Sequence, residues 1–215
     1  MLDRRTMIAA AALALSGGPA LAAGVPAEAV QGDMSLGNPR ARVHVVEYAS
    51  ASCPHCARFD EDVWPAFKRT YVDTGRAYYT LKEFLTPPQE VAAAGFLIAR
   101  CGGKARYFAI LDGVFRSQAE WESGDVRTPL MKVAAANGLS QAQVDACLAD
   151  AAALKALNAR FEAAMAKDNV HSTPTFDING QRIEGETDLA TLGAAISKAE
   201  AAAPSAKAPA RGKGR

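Results

Sequence analysis

The sequence has no apolar run long enough to cross a bilayer, no excess of either charge, and no second CxxC motif. Its early apolar run, "MIAAAALAL" at 7–15, has nine residues, against the roughly 20 that a membrane-spanning helix needs. A net charge of +1, from 24 basic and 23 acidic residues, leaves no electrostatic footprint for nucleic acid or for general membrane attraction. With one CxxC and only three histidines, the paired spacing of a zinc finger or ribbon is missing. No internal repeat is evident. What is present is 49% hydrophobic residues over 215 positions, enough for one domain, or one domain carrying an insertion.

The first 23 residues stand apart. "MLDRR" is a short basic opening, the apolar run follows, "SGGP" breaks it, and "ALA" at 20–22 supplies a small-x-small cleavage signal. Residues 1–23 are therefore expected to be a secretory signal peptide cut near Ala22 or Ala23. Arg4-Arg5 leaves twin-arginine export open beside general export. Without Asp3, Arg4 and Arg5 the charges become 22 basic and 22 acidic, so the mature chain is neutral. Export changes how the four cysteines are read, because outside the cytosol thiols pair or do redox chemistry. The far end, 201–215, has four basic and no acidic residues and no large apolar side chain, and is expected to be a disordered basic tail.

Between these ends, residues 24–41 are read as an N-terminal arm. "RVHVVEYAS" (42–50) and "AYYTLKEFL" (77–85) read as strands, the second closed by Pro87-Pro88. From Cys53, apolar Phe59, Val63, Trp64 and Phe67 recur at helical spacing, so a helix begins at the CxxC, with Pro65 set to kink it. Residues 88–168 read as a block of helices, with Ser140 as an N-cap and the stretch 140–168 as two helices. Asn179-Gly180 in "STPTFDINGQRIEG" marks a two-residue hairpin, and 187–200 a closing helix. The order predicts an α/β domain over 42–200. Trp64, Phe67, Phe96, Phe108 and Phe115 are assigned to its core.

The chemistry concentrates in "SCPHCARF". A strand ends and, after a few small residues, Cys53 opens a helix, where free N–H groups and the helix dipole favour negative charge. Cys53 is thus expected to be a thiolate, the reactive form. Pro54 fits the first helical position, and His55 can donate a hydrogen bond or carry positive charge beside the sulfur. Cys56, one turn on, is the natural resolving thiol. Stabilising the thiolate stabilises the reduced pair and makes its disulfide a stronger oxidant. A structural disulfide here would close too small a loop to constrain the unfolded chain. A metal site from Cys53, His55, Cys56 and His171, holding copper or zinc, is the alternative, but His55 beside Cys56 makes a closed tetrahedral set hard to arrange. His44 and His171 read as polar strand or loop residues. Cys101 and Cys147, 46 residues apart in the helical block, are expected to form a structural disulfide, with two free thiols or a second redox pair as alternatives. No metal or cofactor is expected.

A strand, then Cys-Pro-His-Cys at a helix start, a helical insertion, and Thr173-Pro174 opening a hairpin together resemble the DsbA-like family of exported thiol oxidases. The match runs over roughly residues 35–200. It implies a thioredoxin-like fold with a helical insertion between the βαβ half and the C-terminal hairpin and helix. It also implies that Cys53 reacts with substrate, that Cys56 resolves, and that Pro174 is cis with Thr173 beside the sulfurs. Family members place an acid on the strand six residues before the first cysteine, which here is Glu47; buried there, it could take the proton of Cys56. Lys82, on the next strand, is a possible partner for Glu47. Thr173 departs from the apolar residue of strongly oxidising members and also occurs in isomerase-type relatives. The expected protein is a periplasmic thiol:disulfide oxidoreductase, mainly an oxidase of reduced or unfolded exported proteins. It would be monomeric, and the resemblance implies reoxidation by a DsbB-like membrane quinone reductase. A disulfide isomerase or reductase of the same fold and a copper-binding thiol chaperone are the alternatives.

Overall fold

The computed structural model describes residues 24–202; the predicted signal peptide and the predicted tail beyond residue 202 lie outside the described residues. In chain order the elements are α1 (Ala27–Val30), β1 (Met34–Gly37), β2 (Val43–Ala49), α2 (Pro54–Asp62), α3 (Trp64–Phe67) and β3 (Ala77–Glu83). The helical block follows as α4 (Gln89–Cys101), α5 (Tyr107–Ser117), α6 (Arg127–Ala136), α7 (Gln141–Leu148) and α8 (Ala151–Ala166). The chain closes with β4 (Thr175–Ile178), β5 (Gln181–Glu184) and α9 (Leu189–Ala202).

The five strands form one sheet in the order β1-β3-β2-β4-β5. β2 and β3 are parallel, linked through α2 and α3, whereas β4 lies antiparallel to β2 and pairs with β5 as a hairpin. At the hairpin tip both Asn179 and Gly180 take positive φ, +50° and +88°, the backbone a tight primed turn requires. Residues 24–41, expected as an arm, differ: β1 pairs antiparallel with β3 and becomes one of the sheet's two edge strands. Four residues without clear alternation carry too little pattern to announce a strand.

Period-two alternation gives the sheet two coats. Val43, Val45 and Ala49 join the main core with Phe59, Phe67 and Phe96, while Tyr48 turns to a smaller cluster with Phe84, Ala164 and Val170. Phe67, Phe96 and Phe115 are buried as expected, and Trp64 and Phe108 pack against the core partly exposed. The helix that starts at the CxxC breaks where Pro65 lacks its N–H: α2 ends at Asp62, α3 is a single turn, and a π-helical turn, 68–72, carries the chain out.

The insertion is tied to the sheet by a buried charge cluster. Glu83, 1% exposed, accepts from Arg100 Nε at 2.7 Å, Arg160 Nη2 at 2.7 Å and the Tyr107 hydroxyl at 2.9 Å. The same arginines donate to the carbonyls of Ala29, Val30 and Gly32, pinning the N-terminal segment. Burial of these ions is tolerable because each is paired and hydrogen-bonded. Ser140 and Gln143 form a reciprocal capping box at the start of α7, and Asp150 caps α8 through the N–H groups of Ala152 and Ala153. Gly95 on α4 lets the insertion pack tightly against the CxxC loop, since a Cβ there would stand 2.8 Å from that of Ala51.

Candidate active site

Strand β2 delivers the chain to a turn at Ser50–Ser52, and Cys53 caps α2 with extended backbone (φ −85°, ψ 120°) and Pro54 at the first helical position. The loop is held from two sides. Ser50 Oγ accepts the Thr86 N–H at 3.2 Å, and Ser52 Oγ donates to the Thr86 carbonyl at 3.0 Å. From the insertion, Gln118 Nε2 donates to the Ala51 carbonyl at 2.9 Å and to the Cys53 carbonyl at 3.4 Å. The helix start is therefore fixed before any substrate arrives.

Cys53 and Cys56 are both free and buried. The Thr173–Pro174 peptide is cis, and as a thiol Cys53 donates to the Thr173 carbonyl at 3.4 Å. The thiolate cannot donate, and donors are at hand for it. The Cys56 S–H contributes most, burial opposes, and the Thr173 side chain and the backbone N–H groups of Cys56 and His55 add, bringing Cys53 down to about 5. Thr173 Oγ1 is buried without a hydrogen-bond partner, which leaves it free to serve the thiolate. Cys56, wholly buried, is pushed well above its ordinary value, first by burial and then by the neighbouring Cys53 and by Glu47. One helix turn thus holds two thiols of opposite character.

Glu47 lies beneath them, 3% exposed. Burial pushes it up to about 7; the Tyr79 hydroxyl, donating to Oε2 at 2.5 Å, pulls the other way, and the Cys53 charge adds to the rise. A carboxyl poised near neutrality can hold or release a proton. Its partner is Tyr79 and not Lys82. In the β2–β3 register Glu47 is level with Leu81 and Tyr48 with Lys82, so Lys82 projects from the opposite face, where it pairs with Asp168 at 2.5 Å. Tyr79 is level with Val45 and shares the face of Glu47. Strand parity, once the register is known, finds it.

One turn along α2, Asp60 is also buried, with Oδ2 unpartnered. It rises to about 8 through burial and through Asp112 of α5, with which it shares a hydrogen bond. Asp112 is itself partly buried but is held below its ordinary value by Arg116 and by the Asp60 proton. Nothing in the sequence pattern announced this pair.

His55 engages two partners. Its backbone N–H serves the sulfur, but its ring turns to the loop after β5, where Nδ1 meets Glu186 Oε1 at 2.5 Å. His44 packs edge-on against Tyr78 and His171 engages Asn169. Among the described residues no three His, Cys, Asp or Glu side chains are grouped to hold a metal ion, and no helix is long and apolar enough to cross a membrane. Cys101 and Cys147 are disulfide-bonded, joining the end of α4 to α7 with Cα atoms 5.9 Å apart.

This geometry has counterparts. The family described as Thioredoxin matches residues 29–198. Among curated proteins, one of Rickettsia bellii named "Putative protein-disulfide oxidoreductase" is 31% identical over 171 residues, covering 79% of this chain and 65% of its own. One of Rickettsia conorii with the same description is 32% identical over 169 residues, 78% of this chain and 60% of its own. The chain thus spans about three-fifths of the length of these relatives. Among solved structures, alpha-DsbA1 of Wolbachia pipientis superposes with a TM-score of 0.73 at 26% identity, covering 79% of this chain and 91% of that one. A protein-disulfide isomerase from Novosphingobium aromaticivorans gives 0.69 at 27% identity, over 78% and 97%. The chain belongs to the thioredoxin family, and its fold, a thioredoxin sheet interrupted by a block of helices, is that of the DsbA-like proteins.

Proposed function

We propose that this chain is a thiol:disulfide oxidoreductase that works mainly as a dithiol oxidase on reduced exported proteins. The observation that carries the reading is the division of labour between the two thiols, Cys53 held at about 5 and Cys56 pushed far up, on one turn of α2. In the oxidised protein a substrate thiolate attacks Cys53 Sγ, and the Cys53–Cys56 bond breaks with its electron pair leaving on Cys56. A buried thiolate at Cys56 is costly and takes up a proton, for which Glu47 is the buried acid whose charge acts on it. A second substrate thiolate then attacks the substrate sulfur of the mixed disulfide and expels Cys53. Departure is easy because the leaving thiolate is the stabilised one. The substrate pair has lost two electrons and the protein has gained them.

The curated relatives named as protein-disulfide oxidoreductases support this reading. So does the deep burial of Cys56, which confines attack to Cys53. The periplasm as compartment, a quinone-linked DsbB-like protein as reoxidant and a monomeric state extend the same proposal. Isomerase activity is the second reading, favoured by the Thr173 hydroxyl beside Cys53 and by the name of the Novosphingobium neighbour. The test is to mix stoichiometric oxidised protein with a reduced, unfolded two-disulfide substrate. Rapid loss of substrate thiols, blocked by Cys53→Ser, supports the oxidase. Slow oxidation, with faster repair of a scrambled substrate by the reduced protein, overturns it in favour of the isomerase.

A further inference from the structure

The cysteine helix carries two basic side chains in its first turns, His55 and Arg58, and one carboxylate occupies both. Glu186 lies in the loop between β5 and α9. Its Oε1 meets His55 Nδ1 at 2.5 Å and Arg58 Nε at 2.7 Å, and Arg58 Nη2 also reaches it. Arg58 Nη2 stands 2.6 Å from His55 Nδ1, closing the cluster. Whether Nδ1 donates to Glu186 or accepts from the donor-only Arg58 guanidinium follows the ring's tautomer, and in either case its partner lies in this cluster. The imidazole is thereby engaged in the cluster with Glu186 and Arg58, and the Arg58 charge is matched in place. His55 and Arg58 hold Glu186 below its ordinary carboxylate range, so it is an anion whenever the dithiol works near neutrality.

We infer that Glu186 is a positioning residue that restrains the oxidising power of the dithiol, by holding the His55 imidazole and the Arg58 guanidinium away from the Cys53 sulfur. The inference rests on the oxidoreductase reading of the CxxC and deepens it. A cation beside Cys53 stabilises its thiolate, and every such gain stabilises the reduced protein and raises the potential of the disulfide. Here the sulfur draws on a thiol, a hydroxyl and backbone N–H groups, while the His55 ring and the Arg58 cation are both engaged by one residue contributed from the C-terminal half of the fold. Each of the three side chains is about half exposed, so the coupling is that of a surface pair and the effect is modest.

The experiment is the equilibrium of the dithiol with a glutathione redox buffer, together with the pH titration of the Cys53 thiolate, in a double-variant cycle. Glu186→Gln removes the anion and frees the ring. It is expected to make the protein about threefold more oxidising, close to 14 mV at 29.6 mV per tenfold, and to lower the Cys53 midpoint. Glu186→Asp should restore wild-type behaviour in part. His55→Ala should shift the equilibrium less than twofold with Glu186 present, and more than threefold in the Glu186→Gln background, where the ring is free to serve the sulfur. A Glu186→Gln protein with unchanged or lower potential overturns the inference. So does a His55→Ala effect of equal size in both backgrounds. Failure of the wild-type protein to exchange with glutathione at all overturns the oxidoreductase reading as well, so the two failures are told apart.

Discussion

The thiolate of Cys53 permits a quantitative prediction. With Cys53 at about 5, its thiolate outnumbers its thiol by about a hundred to one at pH 7, against roughly one to a hundred for a thiol left at 9. The reduced protein gains whatever stabilises that thiolate, and the oxidised protein gains nothing. The ratio of the two binding polynomials at pH 7 is about a hundredfold, equivalent to ~2.7 kcal/mol or about 60 mV for a two-electron couple. Water screens the outer side of the sulfur, so 30–60 mV above an unperturbed CxxC pair is the expected range, order of magnitude. The sign of the pH dependence follows from linkage. A folded-state value depressed below the unfolded one contributes stability that is complete above the unfolded value, near 8.5, and disappears as pH falls through about 5. The reduced protein should therefore be more stable than the oxidised protein at pH 7, by up to ~2.7 kcal/mol, and the gap should close as pH approaches 5. Ultraviolet absorbance of the thiolate in the Cys56→Ser variant, whose hydroxyl can still donate to the Cys53 sulfur, reports the titration. Urea unfolding of both redox forms at pH 5 and pH 7 reports the linkage. A reduced form no more stable than the oxidised one at pH 7, or a wild-type thiolate midpoint above 7.5, refutes the reasoning.

Other expectations follow from the same geometry. Glu47 and Asp60 have folded values raised to about 7 and about 8, so the folded state binds extra protons and stability falls as pH climbs from about 4 to 8. In the oxidised protein Asp60→Asn, which can still donate to Asp112, should flatten the upper part of that fall and be more stable than wild type at pH 8.5 by on the order of 2 kcal/mol in urea titration; equal stability would contradict the burial assigned to it. Glu47→Gln should slow mixed-disulfide formation at pH 7 about tenfold or more, measured in single turnover with a model thiol, while leaving the Cys53 titration nearly in place. Removing the Cys101–Cys147 disulfide by Ala substitution opens a loop of 46 residues and should cost up to about 4 kcal/mol, visible as a fall of roughly 8–16 °C in Tm, without abolishing exchange at Cys53. Gln118→Ala should raise the Cys53 midpoint measurably, since the amide that steadies the Ala51 and Cys53 carbonyls is lost; an unshifted midpoint would make Gln118 dispensable.

Much of this was written locally. Valine-rich stretches, Pro and Gly stops, the Ser140 cap and the Asn179-Gly180 turn depend on neighbours in sequence, so the strands and helices from β2 onward and the hairpin could be read in order, while α1 and β1 could not. The reactive pair could also be read, because the helix start that favours a thiolate is made by residues adjacent to Cys53. Glu47 emerged only through family resemblance, and its surroundings did not emerge at all. Which side chain meets Glu47 depends on β2–β3 register, and a shift of one residue exchanges Tyr79 for Lys82 on the face concerned.

The division is one of range along the chain. By itself the sequence determined the order of the elements from β2 onward and a dithiol at a helix start that favours a thiolate on Cys53, decided within a few residues by backbone geometry and helix electrostatics. Tertiary structure alone decided what stands around the dithiol, including the burial of Cys56: Thr173 from 120 residues away, Tyr79 under Glu47, Asp112 against Asp60, and Glu186 against the His55 ring across 131 positions. Those contacts depend on which faces pack together, and hydrophobic pattern specifies that a face is buried without specifying the polar partner it will meet there.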